Sequence, residues 1–355
     1  YFRVFSGTLR SDSQVWNVSK NAQERIGTLF VPRGKAQDPV PSLSAGDIGV
    51  VAKLAGTATG DTLGQKDKPL ALDPIVFPDP VFSLAVHPKT KADLDKLGTA
   101  LSRLAEEDPS LRMVKEQSTG ETVLSGMGDV HLEMAVERMR RKSGVEVLVD
   151  MPKVPYRETV RTPSKAEYKH KKQTGGHGQY GHVFLAFEPL PRGSGTEVTE
   201  KVVGGAVPRN YYPAVEKGVR EAIQEGVLAG YPVADVRVTL YDGSYHPVDS
   251  SEMSFKIAAI QCVKKGLAQA NPTLLEPIML VRVTVPDTFT GDIIGDLNSR
   301  RARVLGMVPG EGLTIIEALA PLAEMQRYAA TLRSLTQGRG VYTMKFERYE
   351  EVPSH

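Results

Sequence analysis

The chain has 355 residues, too many for one hydrophobic core of ordinary size, so several domains are expected. Apolar residues make up 41% and charged residues 24%, so disorder is not the default expectation, and a formal net charge of only +2 leaves any attraction to nucleic acid to local clustering. A single cysteine, Cys262, excludes an internal disulfide framework and fits a reducing compartment, while the lack of any apolar run of 18 residues excludes a hydrophobic helical span. The opening residues, "YFRVFSGTLR", carry no Met and no signal-peptide pattern and read as a strand already under way, as expected of a piece of a longer protein.

Residues 1–79 alternate short β-rich runs, among them "QVWNV", "RIGTLFVP" and "DIGVVAKL", with Gly, Pro and Asp. This predicts a small antiparallel barrel or sandwich. "DPIVFPDP", Asp73 to Pro80, has three prolines in eight residues and reads as a stiff linker. From Val81 the rhythm changes to strand "VFSLAV", a helix with Leu94, Leu97, Leu101 and Leu104 on its stripe, the hairpin "SLRMVKEQ"/"ETVLSGMG", a second helix carrying Leu132, Ala135, Val136 and Met139, and strand "VEVLVD". That βαββαβ order over 80–156 predicts a ferredoxin-like domain. Residues 157–275 read as α+β, with strands "HVFLAFEPL", "TEVTEKVVG" and "VADVRVTLYDG" and helices "YPAVEKGVREAIQEG" and "SSEMSFKIAAIQCVKKGLAQA". In the last helix Phe255, Ala259, Cys262 and Val263 share a face, which makes Cys262 a core filler rather than a reactive thiol. Residues 276–355 repeat the ferredoxin-like order: "IMLVRVTVP", "GDIIGDLNSRR", "ARVLGMVP", "TIIEALAP", the single helix "EMQRYAATLRSLTQ", the stop "GRG" and "VYTMKFERYE".

No G-x-x-x-x-G-K-[ST] occurs, so this chain is not expected to hydrolyse a nucleotide by itself. His177, His182 and His246 have neither a paired histidine on one helix nor carboxylates at a ligand spacing, so no metal site is expected; His131 reads as a polar residue at a helix start. "DGSYHPVDSSE" holds Asp242, Ser244, His246 and Asp249 too close together for a converging triad. It reads as a turn into a helix capped by Ser250 or Ser251. From Tyr156 to Gly176, six basic residues (Arg157, Arg161, Lys165, Lys169, Lys171 and Lys172) stand against Glu158 and Glu167 and lead into "GGHGQY". A solvated face and a flexible hairpin loop would explain this. So would an RNA contact, in which glycines allow close approach, lysines meet phosphate, and His, Gln and Tyr meet unpaired bases. Ser244-Tyr245-His246 has similar chemistry, and Arg300, Arg301 and Arg303 form a third basic group.

The motifs "EEDPSLRM", "ETVLSGMGDVHLE", "QTGGHGQYGHV", "EPLPRGSG", "VTLYDGSYHPVDSSEMSFKIA", "LEPIMLVRVTVP", "GDIIGDLNSRR", "PLAEMQRYAATLRSLTQGRG" and "YEEVP" resemble bacterial elongation factor G, in family order and over nearly the whole chain. The resemblance implies a multidomain α+β translational GTPase. Its parts would be a partial β-barrel (1–79), two ferredoxin-like domains (80–156 and 276–355) and an elongated α+β arm (157–275). It further implies that GTP and Mg2+ belong to a G domain outside this chain, with no cofactor in the chain itself. The expected partners are rRNA of both ribosomal subunits, with tRNA and mRNA at the A site, for a cytoplasmic monomer that has no membrane contact. The arm tip would comprise Gly175, Gly176, His177, Gly178 and Gln179 with Tyr245 and His246. Lys169, Lys171, Lys172, Arg300 and Arg301 are further candidate rRNA contacts. Where the family pattern reads "TGGRGQYGH", this chain has His177, and a fixed positive charge is replaced by a group mostly neutral at pH 7. Such a variant also occurs in elongation factor G-like paralogues, which suggests the alternative of a non-translocating ribosomal factor in recycling, protection or regulation.

Overall fold

The computed structural model describes residues 1–173 and 178–353. By Cα proximity the chain divides into two compact units, residues 1–78 with 98–111, and residues 79–97 with 112–355. Among the described residues no helix is long and apolar enough to cross a membrane.

The first unit is built from short strands: β1 (Phe2–Arg3), β2 (Thr8–Arg10), β3 (Gln14–Asn17), β4 (Ala22–Arg25), β5 (Leu29–Arg33), β6 (Ala36–Val40), β7 (Ser42–Ser44), β8 (Ile48–Val51) and β9 (Leu63–Gly64). They form antiparallel sheets in the orders β1-β8-β5-β6, β2-β7 and β4-β3-β9, the short antiparallel strands that the frequent turn residues predict. Val4, Ile26, Leu29 and Leu43 are its core. One charged side chain is buried with them. Glu24 accepts the backbone N–H groups of Ala55, Gly56 and Thr57 and the Thr57 hydroxyl. These bonds, led by that from Ala55, hold its carboxyl down at about 2.

The second sheet follows the expected order: β10 (Phe82–Pro88), α1 (Lys91–Glu107), β11 (Arg112–Lys115), β12 (Thr122–Gly126), α2 (Asp129–Ser143) and β13 (Val147–Asp150). Its spatial order β11-β12-β10-β13, antiparallel throughout, is ferredoxin-like. In α1, Leu97, Ala100, Leu101 and Leu104 are buried. Leu94, expected on the same stripe, is 59% exposed, because it sits in the first turn at the flank of the arc that these four define. α2 buries Leu132, Ala135 and Met139 and ends on Gly144 at φ 63, whose N–H donates to the Arg140 carbonyl. His131 Nδ1 accepts the Met127 N–H, so this histidine braces the entry to the helix.

β14 (Arg157–Val160) precedes the third sheet, which comprises β15 (Ser164–Lys172), β16 (Gln179–Pro189), β17 (Thr196–Glu200) and β18 (Val236–Ser244) in the order β15-β16-β18-β17, with only β17–β18 parallel. Helices α3 (Tyr212–Glu225) and α4 (Glu252–Gln269) pack together, and α4 packs against β15 and β16. Val183, Leu185 and Phe187 on β16 meet Phe255, Ala259, Cys262 and Val263 on α4 in one core. Cys262 is fully buried, and burial pushes its thiol up to about 12, which confirms it as a core residue.

The fourth sheet contains β19 (Pro272–Pro286), β20 (Arg303–Pro309), β21 (Leu313–Pro321) and β22 (Val341–Glu351), with α5 (Thr290–Ser299), α6 (Leu322–Met325) and α7 (Tyr328–Leu335). β20-β21-β19-β22 is a second ferredoxin-like sheet. Two features depart from expectation. The stretch expected as one helix is two, separated at Gln326–Arg327, where Gln326 Nε2 donates to the Pro152 carbonyl. β19 begins at Pro272, and its first residues pair with β14, from Val160↔Pro272 to Arg157↔Leu275. Glu158 on β14 is fully buried and accepts the N–H groups of Val227, Leu228, Ala229, Gly230 and Tyr231. An acid that dilutes the basic run in the sequence is therefore an internal anchor for the loop after α3.

Candidate nucleic-acid interface

The basic run becomes the exposed row of β15. Lys165, Lys169 and Lys171 alternate with Ala166, Tyr168 and His170, so apolar burial of Ala166 and Tyr168 turns the lysines outward. The β15–β16 hairpin stays in register from Ser164↔Phe187 to Lys172↔Gln179. At its end His170 Nε2 and Gln179 Oε1 are 2.9 Å apart. Lys169, Lys171 and Lys172 are exposed and form no ion pair among the described residues. Gly175, Gly176 and His177 lie outside the described residues.

The segment after β18 comes to the same end of the hairpin. The Gly178 N–H donates to Asp249 Oδ1 at 3.1 Å and the Tyr180 N–H to the Asp249 carbonyl at 2.8 Å. A Cβ at position 178 would stand 2.8 Å from the Asp249 carboxyl carbon, so any side chain here would push that carboxylate aside. His246 is held by its own loop. Its N–H donates to Ser250 Oγ at 2.8 Å, its carbonyl accepts the Ser250 N–H, and its Nδ1 accepts the N–H groups of Val248 and Asp249. Tyr245 is 47% exposed beside it. Of the two candidate caps, Ser251 caps α4, accepting the Ser254 N–H, while Ser250 serves His246. Gly178, Gln179, Tyr245 and His246 are thus brought to one place. Sequence reasoning missed Asp249, which joins the two segments, because its partners lie 69 and 71 residues away.

Ser244 and His246 do not form a catalytic pair. Ser244 Oγ is 2.7 Å from Tyr180 Oη and 2.9 Å from His182 Nδ1. His182 Nε2 is 3.5 Å from Glu167 Oε2, and burial together with Lys169 lowers the pKa of its ring below the usual histidine value. This network ties β15, β16 and β18 together. Among the described residues no group of three or more His, Cys, Asp or Glu side chains is arranged to hold a metal.

Arg300 and Arg301 stand apart from this cluster, in the last ferredoxin-like sheet. Arg300 donates to Asp296, the Glu324 carbonyl and Thr331 and covers the Tyr328 ring. Arg301 makes a bidentate pair with buried Glu276, at 2.7 and 2.9 Å, and a further bond to Glu324; the Glu276 bond pushes its pKa still higher. Both guanidinium groups are engaged within the fold.

Family models match the chain from end to end: Elongation factor Tu domain 2 over 1–64, Elongation Factor G domain III over 77–151, Elongation factor G domain IV over 152–271 and Elongation factor G C-terminus over 273–355. An elongation factor G-like protein of Thermotoga maritima is 52% identical over 354 residues, covering 99% of this chain and 52% of that protein. A crystal structure of a Thermus thermophilus protein superposes with a TM-score of 0.82 at 42% identity, covering 99% of this chain and 53% of that one. The chain therefore spans about half the length of these relatives, and over that span it belongs to the elongation factor G family of translation factors.

Proposed function

We propose that the chain is the ribosome-binding portion of an elongation factor G-like GTPase that promotes GTP-dependent movement of tRNA and mRNA. In this reading the four parts 1–79, 80–156, 157–275 and 276–355 act as domains of a cytoplasmic monomer. GTP and Mg2+ are bound by a G domain within the part of the relatives' length that this chain does not span. The end of the β15–β16 hairpin and the Tyr245–His246 loop enter the decoding site, and Lys169, Lys171 and Lys172 meet rRNA phosphate. Arg300 and Arg301 could add rRNA contacts only by exchanging carboxylate partners for phosphate. The observation that carries the proposal is the junction at Asp249, which makes one surface from two segments rich in glycine, aromatic and hydrogen-bonding groups beside exposed lysines. In this reading the work of the surface is positional.

In the full-length protein, His246→Ala should slow tRNA movement on the ribosome by about ten-fold, the scale of one good RNA contact, and leave ribosome-stimulated GTP hydrolysis nearly intact. A parallel fall in GTP hydrolysis would show that the arm is not a separable mechanical element. The likeness to the elongation factor G-like protein of Thermotoga maritima favours a second reading: a ribosomal factor that does not translocate. A tRNA-movement assay with the full-length protein separates the two.

A further inference from the structure

We infer that Asp249 is a positioning residue that joins the two segments of this surface and holds His246 in the tautomer with its proton on Nε2, so that His246 meets an acceptor oxygen of RNA as a neutral hydrogen-bond donor. The RNA half of this inference rests on the function proposed above; the tautomer does not.

The geometry assigns the proton. His246 Nδ1 receives the N–H groups of Val248 at 3.3 Å and Asp249 at 3.1 Å. A ring nitrogen that accepts two N–H groups has its lone pair in use and carries no hydrogen, so the proton of the neutral ring sits on Nε2. A hydrogen on Nδ1 would find Asp249 Oδ2 at 3.4 Å, but it would also face the two N–H groups already aimed at that nitrogen. The backbone around it is closed by His246 N–H to Ser250 Oγ and Ser250 N–H to the His246 carbonyl. About half of the side chain is exposed, and among the described residues Nε2 has no hydrogen-bond partner.

Asp249 links this ring to the hairpin through three groups. Its N–H goes to His246, its carbonyl accepts Tyr180 N–H, and its Oδ1 accepts Gly178 N–H. Removing the carboxylate would therefore break the Gly178 link and leave the two links made by the Asp249 backbone. A neutral donor also displaces no counterion, so His246 would contribute orientation and discrimination where Lys171 and Lys172 contribute salt-dependent attraction.

The first test needs no ribosome. In this chain labelled with 15N-histidine, a long-range 1H–15N correlation at neutral pH should show His246 with a bare Nδ1 and a protonated Nε2, the signal being assigned by its loss in His246→Gln. A protonated or averaged Nδ1 overturns the tautomer and leaves the proposed function standing. The second test uses the full-length protein. Asp249→Ala should slow tRNA movement by roughly three- to ten-fold, the effect of one lost hydrogen bond. Asp249→Asn, which keeps an Oδ1 acceptor for Gly178, should recover most of that rate. An Asn variant as slow as the Ala variant overturns the positioning role, since carboxylate charge would then be the operative property. The expected tautomer, with neither variant altering tRNA movement, overturns the RNA half together with the functional reading beneath it.

Discussion

Two buried glutamates show how much one side chain organises here. Glu24 and Glu158 each gather consecutive backbone N–H groups of a distant loop, an arrangement that satisfies donors which a loop would otherwise leave to water. Glu24 titrates at about 2 in the folded chain, against 4.5 for an unperturbed carboxyl. The unfolded chain therefore binds the proton more tightly. Glu24 contributes its full stabilisation above pH 4.5 and loses it as the pH falls towards 2. Glu24→Gln should lower the melting temperature at pH 7 and flatten its decline between pH 4.5 and 2. Parallel wild-type and variant curves over that window would exclude Glu24 as the titrating group. Neither glutamate is legible in the sequence as an anchor, because the partner N–H groups carry no residue signature and lie 31–33 and 69–73 residues away.

At the level of elements, alternation and 3.6-residue periodicity locate most strands and helices, including both βαββαβ repeats. They fail where a distant partner decides the outcome. β19 gains its first residues from pairing with β14, and the helix expected over 324–337 breaks where Gln326 reaches the Pro152 carbonyl. β15 reads as a charged run because its buried alternate residues are only Ala166 and Tyr168. Glycines separate the two kinds of constraint. At Gly181 a Cβ would stand 2.6 Å from the Ser254 carbonyl oxygen, where β16 crosses the start of α4. Gly181→Ala should cost about 1–3 kcal/mol in urea denaturation, through forced separation of strand and helix. Gly98, exposed inside α1 with open space at its Cβ, predicts the reverse: Gly98→Ala should stabilise by about 0.5–1 kcal/mol. Equal effects at the two sites would show that backbone freedom, not close packing, governs both.

Across the whole molecule, the segment 157–192 and the last ferredoxin-like sheet are joined by more than chain continuity. β14 pairs with the first residues of β19, and Glu351 on β22 receives Arg161 Nε and an Nη at 3.0 and 2.7 Å and Arg192 at 2.7 Å. These side chains are about a third exposed, so the ion pairs together are worth about 1 kcal/mol rather than several. Glu351→Ala should leave global stability nearly unchanged and speed hydrogen exchange of the Arg157–Val160 amides, an effect that shrinks as salt rises. Unaltered exchange would assign the junction to the strand ladder alone.

The sequence by itself determined the α+β class, both ferredoxin-like repeats, the burial of Cys262 and the family, because periodicity and contiguous motifs are local properties of the chain. Only the tertiary structure decided which residues of "DGSYHPVDSSE" and of the hairpin meet. It separated Ser244 from His246, assigned Ser251 to the helix and Ser250 to the histidine, and made Asp249 the bond between segments some 70 residues apart. It also placed Arg300 and Arg301 in internal ion pairs while leaving Lys169, Lys171 and Lys172 exposed. The reason is common to all of these. A charged or hydrogen-bonding side chain is satisfied by whichever group the fold brings within about 3 Å, and that partner is not encoded near it in the chain.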